Sequence, residues 1–324
     1  MKNWKVYVSR PLPEESLVLL RSRSEVKLGP LGTIPKAELI KELEGQDAIL
    51  VSHTKFDEEV IAAIAPTCKV LASYGVGYDN IDVAAATKYG MIVTHNPGLV
   101  TADTADLTFA LMLAVARRIV ECDAYVRTGD VAWGPTVLVG SKVSGKKLGI
   151  VGSGRIASAV AKRAVGFDME ILYTSECQDP NFEELCGGRF VSKEELLKEA
   201  DFVTLHLPLL PTTCHYISTG EMKLMKKSAI LLNLARGPIV DEKALVAALE
   251  SGEIAGAGLD VFEREPEVEA GLTKLSNVVM TPHNGTCTME TRTEQGESCA
   301  RKIFAVLDGK EPENWVNPEV KLNK

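Results

Sequence analysis

The run Lys147-Leu148-Gly149-Ile150-Val151-Gly152-Ser153-Gly154-Arg155-Ile156-Ala157 constrains the fold more than any other stretch of this chain. An apolar strand passes through two glycines straight into an Ala-rich helical pattern. Gly152 suits a tight turn, Gly154 lets a ligand approach the backbone, and Ala157 is small enough for helix and strand to pack closely. A helix that begins this way offers unpaired N–H groups and a positive dipole end to an anion, which is how a pyrophosphate is cradled. Glycine turns of purely structural purpose also join strands to helices, so the context matters. Glu170–Ser175 reads as a second strand, ending about twenty residues on, where a dinucleotide fold reads the adenosine ribose. Ser175 and Glu176 stand there. A carboxylate at Glu176 would accept from ribose hydroxyls and repel a 2′-phosphate, which favours NAD(H) and leaves NADP(H) open. Glu176 sits one place late for that task and is equally readable as a solvated loop acid.

Strand-like runs alternate with helical patterns along the whole chain, the mark of βαβ units and a largely parallel sheet. In the first third, strands are predicted at Lys5–Ser9, Val26–Leu28, Ala48–Ser52, Val70–Ser73 and Ile92–Thr94, with helices at Pro35–Leu43 and Glu58–Ile64. A long helix is predicted over Thr101–Ile119, with Ala105, Phe109, Met112, Leu113 and Ala116 as its apolar positions. Such a helix serves as a spine between domains, as a subunit contact, or as an ordinary buried helix. A second series follows at Lys147–Val151, Glu170–Ser175, Phe202–Leu207, Ala229–Leu234, Gly256–Phe262 and Val278–Thr281, then a helix at Glu290–Leu307. That second series fits a doubly wound sheet of two mononucleotide halves. A chain of 324 residues suffices for two domains.

The 36 basic and 44 acidic residues give a net charge of −8, and no basic cluster interrupts that balance. Neither nucleic acid nor an anionic membrane is therefore expected as a partner. The chain enters its first strand without a signal-peptide pattern, and its most apolar segment, Leu107 to Ala116, is too short to span a bilayer, so a cytoplasmic protein is expected. The cysteines, Cys68, Cys122, Cys177, Cys186, Cys214, Cys287 and Cys299, are scattered, with no metal-ligand spacing to the histidines. They read as reduced thiols, and no metal site is expected.

Ligands of doubly wound sheets bind at the carboxyl ends of the strands, so chemistry is sought in the residues that follow each strand. Arg236 follows one apolar strand and could grip a carboxylate with its planar fork of donors, or form a structural ion pair. His283 closes the last strand and could exchange a proton near neutral pH, or be an ordinary loop histidine. Glu265 follows the neighbouring strand and could hold one ring nitrogen of an imidazole, or be solvated. His206 and Cys287 have no partners that would complete a dyad and are treated as lining.

Taken together, Ser73-Tyr74-Gly75-Val76-Gly77-Tyr78-Asp79-Asn80-Ile81-Asp82, the Gly152 turn, Leu205-His206-Leu207-Pro208, Asn233–Gly237, Gly258–Pro266 and Thr281-Pro282-His283 resemble the D-isomer-specific 2-hydroxyacid dehydrogenases over essentially the whole chain. Ala132-Trp133-Gly134-Pro135 with Leu138-Val139-Gly140 looks most like the glyoxylate and hydroxypyruvate reductases. The resemblance implies a Rossmann-type dinucleotide-binding domain, residues 100–285, inserted into a smaller flavodoxin-like α/β substrate domain formed by residues 1–99 plus 286–324. It implies Arg236, Glu265 and His283 as the catalytic set. It also implies main-chain amides of Val76 and Gly77 on the substrate carboxylate, with Arg155 and Ile156 on the pyrophosphate. Thr104, Pro208, Thr213, Ala235 and Asp260 would line the cofactor. The implied reaction is reduction of a small 2-oxo acid by NAD(P)H in a homodimer. A D-lactate or D-3-phosphoglycerate type of enzyme and a non-enzymatic NAD(H) sensor are the other readings. Three departures from the family pattern stand out: Ala157 for the third glycine, Ser175-Glu176 at the ribose position, and Asn284-Gly285-Thr286-Cys287 beside His283.

Overall fold

A computed structural model describes residues 3–321. Residues up to Val100 and from Thr286 on form one compact unit, and Thr101–Gly285 form the other.

In the first unit, strands β1 (Trp4–Val8), β2 (Ser24–Leu28), β3 (Ala48–Val51), β4 (Val70–Ser73) and β5 (Ile92–Thr94) make a parallel sheet in the order β2-β1-β3-β4-β5. This is the flavodoxin-like order. Side chains alternate between two buried faces, which is why the strands read as continuous apolar runs. Val6, Val8, Leu50 and Ala72 pack against Leu17 and Leu20 of helix Glu14–Arg21 and Ile303 of helix Met289–Leu307. Tyr7, Ile49, Val51 and Leu71 pack against Leu39 and Leu43 of helix Lys36–Leu43 and Val60 and Ile61 of helix Glu58–Ile64.

The second unit is built on β6 (Lys147–Val151), β7 (Glu170–Thr174), β8 (Arg189–Phe190), β9 (Phe202–Leu205), β10 (Ile230–Asn233), β11 (Gly256–Leu259) and β12 (Val278–Met280). All pair in parallel, in the order β12-β11-β10-β9-β6-β7-β8. The chain runs outward in both directions from the β6/β9 pair, the topological switch point where Rossmann sheets bind their ligands. Leu172, Val203, Leu205, Leu231 and Leu259 face one core layer. Leu148, Ile150, Ile171, Tyr173 and Leu232 face the other, which the helices Thr101–Ala116 and Arg155–Val165 cover.

The structure departs from the sequence expectation in three places. The strand β8 was not expected, because it has two residues, both exposed, paired only to β7. The helix expected over Thr101–Ile119 ends at Ala116. The Ala116 carbonyl accepts the Ser141 amide at 2.7 Å instead of continuing the helical ladder, Arg118 turns left-handed with φ of 53°, and a new helix runs Ile119–Arg127. In the helix that ends at Ala116, the inward side chains Ala105, Phe109, Met112 and Ala116 are buried in the core of the unit. The expected strands also overrun their ladders: pairing stops at Leu205, Asn233, Leu259 and Met280, and the residues beyond are free to carry chemistry. Among the described residues no helix is long and apolar enough to cross a membrane. All seven cysteines are free thiols.

Candidate active site

At the switch point, Gly152 has φ of 106°, and its amide donates to the Thr174 carbonyl at 2.8 Å as β6 ends. A Cβ there would lie 2.6 Å from the His206 carbonyl, so only glycine fits between β6 and the loop after β9. Gly154 caps the helix Arg155–Val165 with backbone alone, and a Cβ on it would project into open space. Other helices of this unit are capped by side chains, for instance by Ser192 and Asp241. The N–H groups of Arg155 and Ile156 therefore head an eleven-residue helix that no side chain caps, which fits the pyrophosphate of a dinucleotide. Ala157 is fully buried under the strand, as its size requires. Ser175 and Glu176 leave β7 at the neighbouring strand end. Ser175 Oγ donates to Cys177 O at 2.6 Å, and the Glu176 side chain is exposed. Pro208 and Thr213 form one closed loop after β9, with Thr213 Oγ donating to Pro208 O at 2.7 Å and accepting from Leu210 N at 2.8 Å.

His206 points back onto its own strand, with Nε2 2.9 Å from Thr204 Oγ. Burial pushes its imidazole down to about 3, so the ring is neutral at physiological pH and brings no charge to this edge of the sheet.

The loops after β11 and β12 bring two candidate residues into direct contact. His283 Nδ1 lies 2.9 Å from Glu265 Oε2, and Glu265 Oε1 accepts the Phe262 amide at 3.0 Å. The carboxylate is thus fastened to its own turn while it holds the ring. His283 has φ of 55°, a left-handed backbone unusual for a non-glycine residue. The turn is held there by Asp260, which is 1% exposed. The Asp260 carbonyl accepts the His283 amide at 2.8 Å, and its carboxylate accepts Thr281 Oγ at 2.6 Å, Asn284 N at 2.7 Å and Gly285 N at 2.8 Å. Burial raises the Asp260 pKa against the pull of those donors. Asp260, expected from the resemblance to line the cofactor, holds the turn that carries the histidine. Thr104 sits against the same turn, close to Gly285.

Arg236 follows β10. Asn233, buried, donates from Nδ2 to Arg236 O at 2.9 Å and accepts the Ala235 amide at 3.1 Å, so the Asn233–Arg236 corner is rigid. Arg236 Nη1 donates to Ala235 O at 2.7 Å. Gly237 then packs directly on the β11 loop: a Cβ there would fall 1.9 Å from the Phe262 carbonyl carbon. The strand end that carries Arg236 and the loop that carries Glu265 are thereby pressed together.

Sequence reasoning missed three members of this arrangement. Asn233 falls inside the strand expected at Ala229–Leu234 and is given no role of its own. Glu242 and Glu263 carry no role in the sequence reading, yet Glu263 N donates to Glu242 Oε1 at 2.7 Å and Glu242 N to Glu263 Oε2 at 3.4 Å, while His215 Nε2 lies 2.9 Å from Glu263 Oε1. Glu242 is buried, and burial raises its pKa. Nothing local in the Asp241-Glu242-Lys243 string signals that.

Val76 and Gly77 lie in the first unit, in the loop that leaves β4. The Val76 carbonyl lies 2.9 Å from His95 Nδ1, the Gly77 carbonyl accepts Ser73 Oγ at 2.8 Å, and the Gly75 carbonyl accepts the Asn96 amide at 3.0 Å. In a trans peptide N–H and C=O point opposite ways. The amides of Val76, Gly77 and Tyr78 are consequently turned away from these partners, as a group of donors able to face an anion.

Residues 109–285 match the family described as D-isomer specific 2-hydroxyacid dehydrogenase, NAD binding domain. The chain is 47% identical to a glyoxylate reductase of Thermococcus litoralis over 98% of this chain and 97% of that protein. Among solved structures, the TT0316 protein of Thermus thermophilus superposes with a TM-score of 0.89 at 45% identity, covering 96% of this chain and 99% of that one. A glyoxylate reductase from Paecilomyes thermophila gives 0.84 at 33% identity, covering 99% and 100%. Sequence and backbone agree over nearly the full length, and this chain belongs to the D-isomer specific 2-hydroxyacid dehydrogenase family.

Proposed function

We propose that this protein reduces a small 2-oxo acid, glyoxylate or hydroxypyruvate, to the corresponding 2-hydroxy acid, with the D configuration where the product is chiral. The observation that carries this reading is the His283–Glu265 pair at the carboxyl edge of a Rossmann sheet whose Gly152 turn and bare helix N-terminus suit a dinucleotide. Reduced nicotinamide, when bound, supplies the hydride. Arg236 binds the substrate carboxylate and polarises the 2-oxo group. Val76 and Gly77 amides are further donors to that carboxylate. His283 gives its proton to the keto oxygen as the hydride reaches C2, so the carbonyl becomes an alcohol and the imidazole becomes neutral. Glu265 accepts from Nδ1–H and so leaves Nε2 as the ring position that gives up the proton. Thr104, Pro208, Thr213, Ala235 and Asp260 line the cofactor, and the amides of Arg155 and Ile156 hold its pyrophosphate.

Glu176, exposed at the end of β7, supports NADH over NADPH, because a carboxylate there repels a 2′-phosphate. The apolar side chains exposed along residues 119–139 support a homodimer. The seven free thiols suit a cytoplasmic setting. The test is the loss of NADH, and separately NADPH, absorbance with glyoxylate, hydroxypyruvate, pyruvate or phosphohydroxypyruvate. Turnover of glyoxylate or hydroxypyruvate with NADH is expected. Preference for NADPH overturns the role given to Glu176, and silence on every acid overturns the enzymatic reading.

A further inference from the structure

In the first unit the loop Tyr74–Gly77 is gripped from behind by a buried polar cluster centred on Lys302. This side chain, on helix Met289–Leu307, is 3% exposed. Its Nζ donates to the His95 carbonyl at 2.6 Å and to Asn96 Oδ1. No carboxylate lies within 4.0 Å of it among the described residues, although buried lysines are ordinarily paired. Burial lowers its pKa, as expected for a cation taken out of water. Such a group is costly to keep, so what it holds is informative.

It holds the two residues that fix the loop. With Oδ1 taken by the ammonium, the Asn96 side-chain amide can face only one way, and its Nδ2 donates to the Tyr74 carbonyl at 2.9 Å. Gln295 Nε2 reaches the same carbonyl at 3.0 Å. The Asn96 backbone amide takes the Gly75 carbonyl and the His95 ring takes the Val76 carbonyl. Each carbonyl from Tyr74 to Val76 is thus tied to a residue that Lys302 touches or to its neighbour Gln295. Peptide planarity then aims the amides of Gly75, Val76 and Gly77 the opposite way.

We propose that Lys302 is a positioning residue for substrate binding: its ammonium, on His95 O and Asn96 Oδ1, orients the Val76–Gly77 amides and adds a buried positive charge behind the place where the substrate carboxylate docks. This rests on the reading of Val76 and Gly77 as carboxylate donors. Lys302 touches neither substrate nor cofactor, and its effect falls on KM for the acid rather than on the hydride step.

The experiment compares wild type, Lys302→Met, Lys302→Arg and Asn96→Asp. Lys302→Met removes the charge and the donors and is expected to raise KM for glyoxylate about ten-fold, the order of a lost buried hydrogen-bond network. Its kcat and its NADH Kd should stay within about two-fold of wild type, because the chemistry is untouched. Lys302→Arg should recover most of the affinity. Asn96→Asp keeps an acceptor for Lys302 but loses the donor to Tyr74 O, so it should raise KM even if Lys302→Met does not fold. Amide hydrogen exchange of the peptide covering residues 70–80 should be faster in both weakened variants. Unchanged KM and exchange in a folded Lys302→Met or Asn96→Asp protein overturns the proposal while leaving the enzymatic reading intact. A wild type that turns over no 2-oxo acid overturns both.

Discussion

The role proposed for His283 gives a sharp expectation: His283→Gln should lower kcat for glyoxylate by about 10²–10⁴-fold, the usual worth of a positioned acid, while NADH Kd measured by fluorescence titration barely moves. Equal loss of both would remove the proton-donor role. The place of His283 after the last strand of a parallel sheet was legible, because ligands of such sheets gather at strand ends. Its left-handed backbone and its dependence on Asp260 were not, since those contacts join residues more than twenty positions apart. The strand-end places of Arg236 and Glu265 were legible on the same ground, whereas the burial of Glu242 was not, because burial is a property of the fold rather than of its neighbours in sequence. His206 carries a pH prediction. Its folded pKa, about 3, lies below its ordinary 6.5, so the stability it contributes is present above the ordinary value and drains away as pH falls through that window. A wild-type melting temperature should therefore drop between pH 6.5 and pH 4, and His206→Gln should drop less over the same interval when both are followed by scanning calorimetry.

Among the elements, the glycine turns sort themselves by what surrounds them. At Gly237 a Cβ would meet the Phe262 backbone at 1.9 Å, and backbone cannot swing aside. Gly237→Ala should cost about 3 kcal/mol or more of stability in urea unfolding, as overpacking does, and should displace the loop that carries Glu265. Gly154 is the opposite case, with open space around the missing side chain and an ordinary φ of −69°. Gly154→Ala should leave the unfolding midpoint nearly unchanged but weaken NADH binding about ten-fold, because the space it fills is where phosphates approach the backbone. If Gly154→Ala instead binds NADH normally, the pyrophosphate does not lie over this turn. The glycines were visible in the sequence, yet only the structure separates one pressed between two loops from one that opens onto free space.

At the scale of the molecule, both sheets were legible because parallel strands buried on two faces leave continuous apolar runs. The break at Arg118 was hidden, since it depends on the Ser141 amide reaching back to Ala116, and β8 is too short to leave a pattern. That break starts the helix Ile119–Arg127, none of whose residues is buried. Ile119, Val120, Val126, Trp133 and Val139 follow in close succession, each more than half exposed and Trp133 87% exposed. Scattered apolar side chains on a surface need no explanation, but a contiguous stretch rich in them is the usual mark of a partner. A second copy of this chain is the partner proposed, so sedimentation at about 10 μM should give twice the chain mass, as expected when a dimer buries on the order of 1,600 Å². Val120→Asp combined with Val126→Asp should shift the protein to the monomer by placing unpaired charge in the contact, with NADH affinity retained because the Gly152 turn lies on a different element. A wild type that sediments as a monomer, or a double variant that stays dimeric, would place the contact elsewhere or remove it.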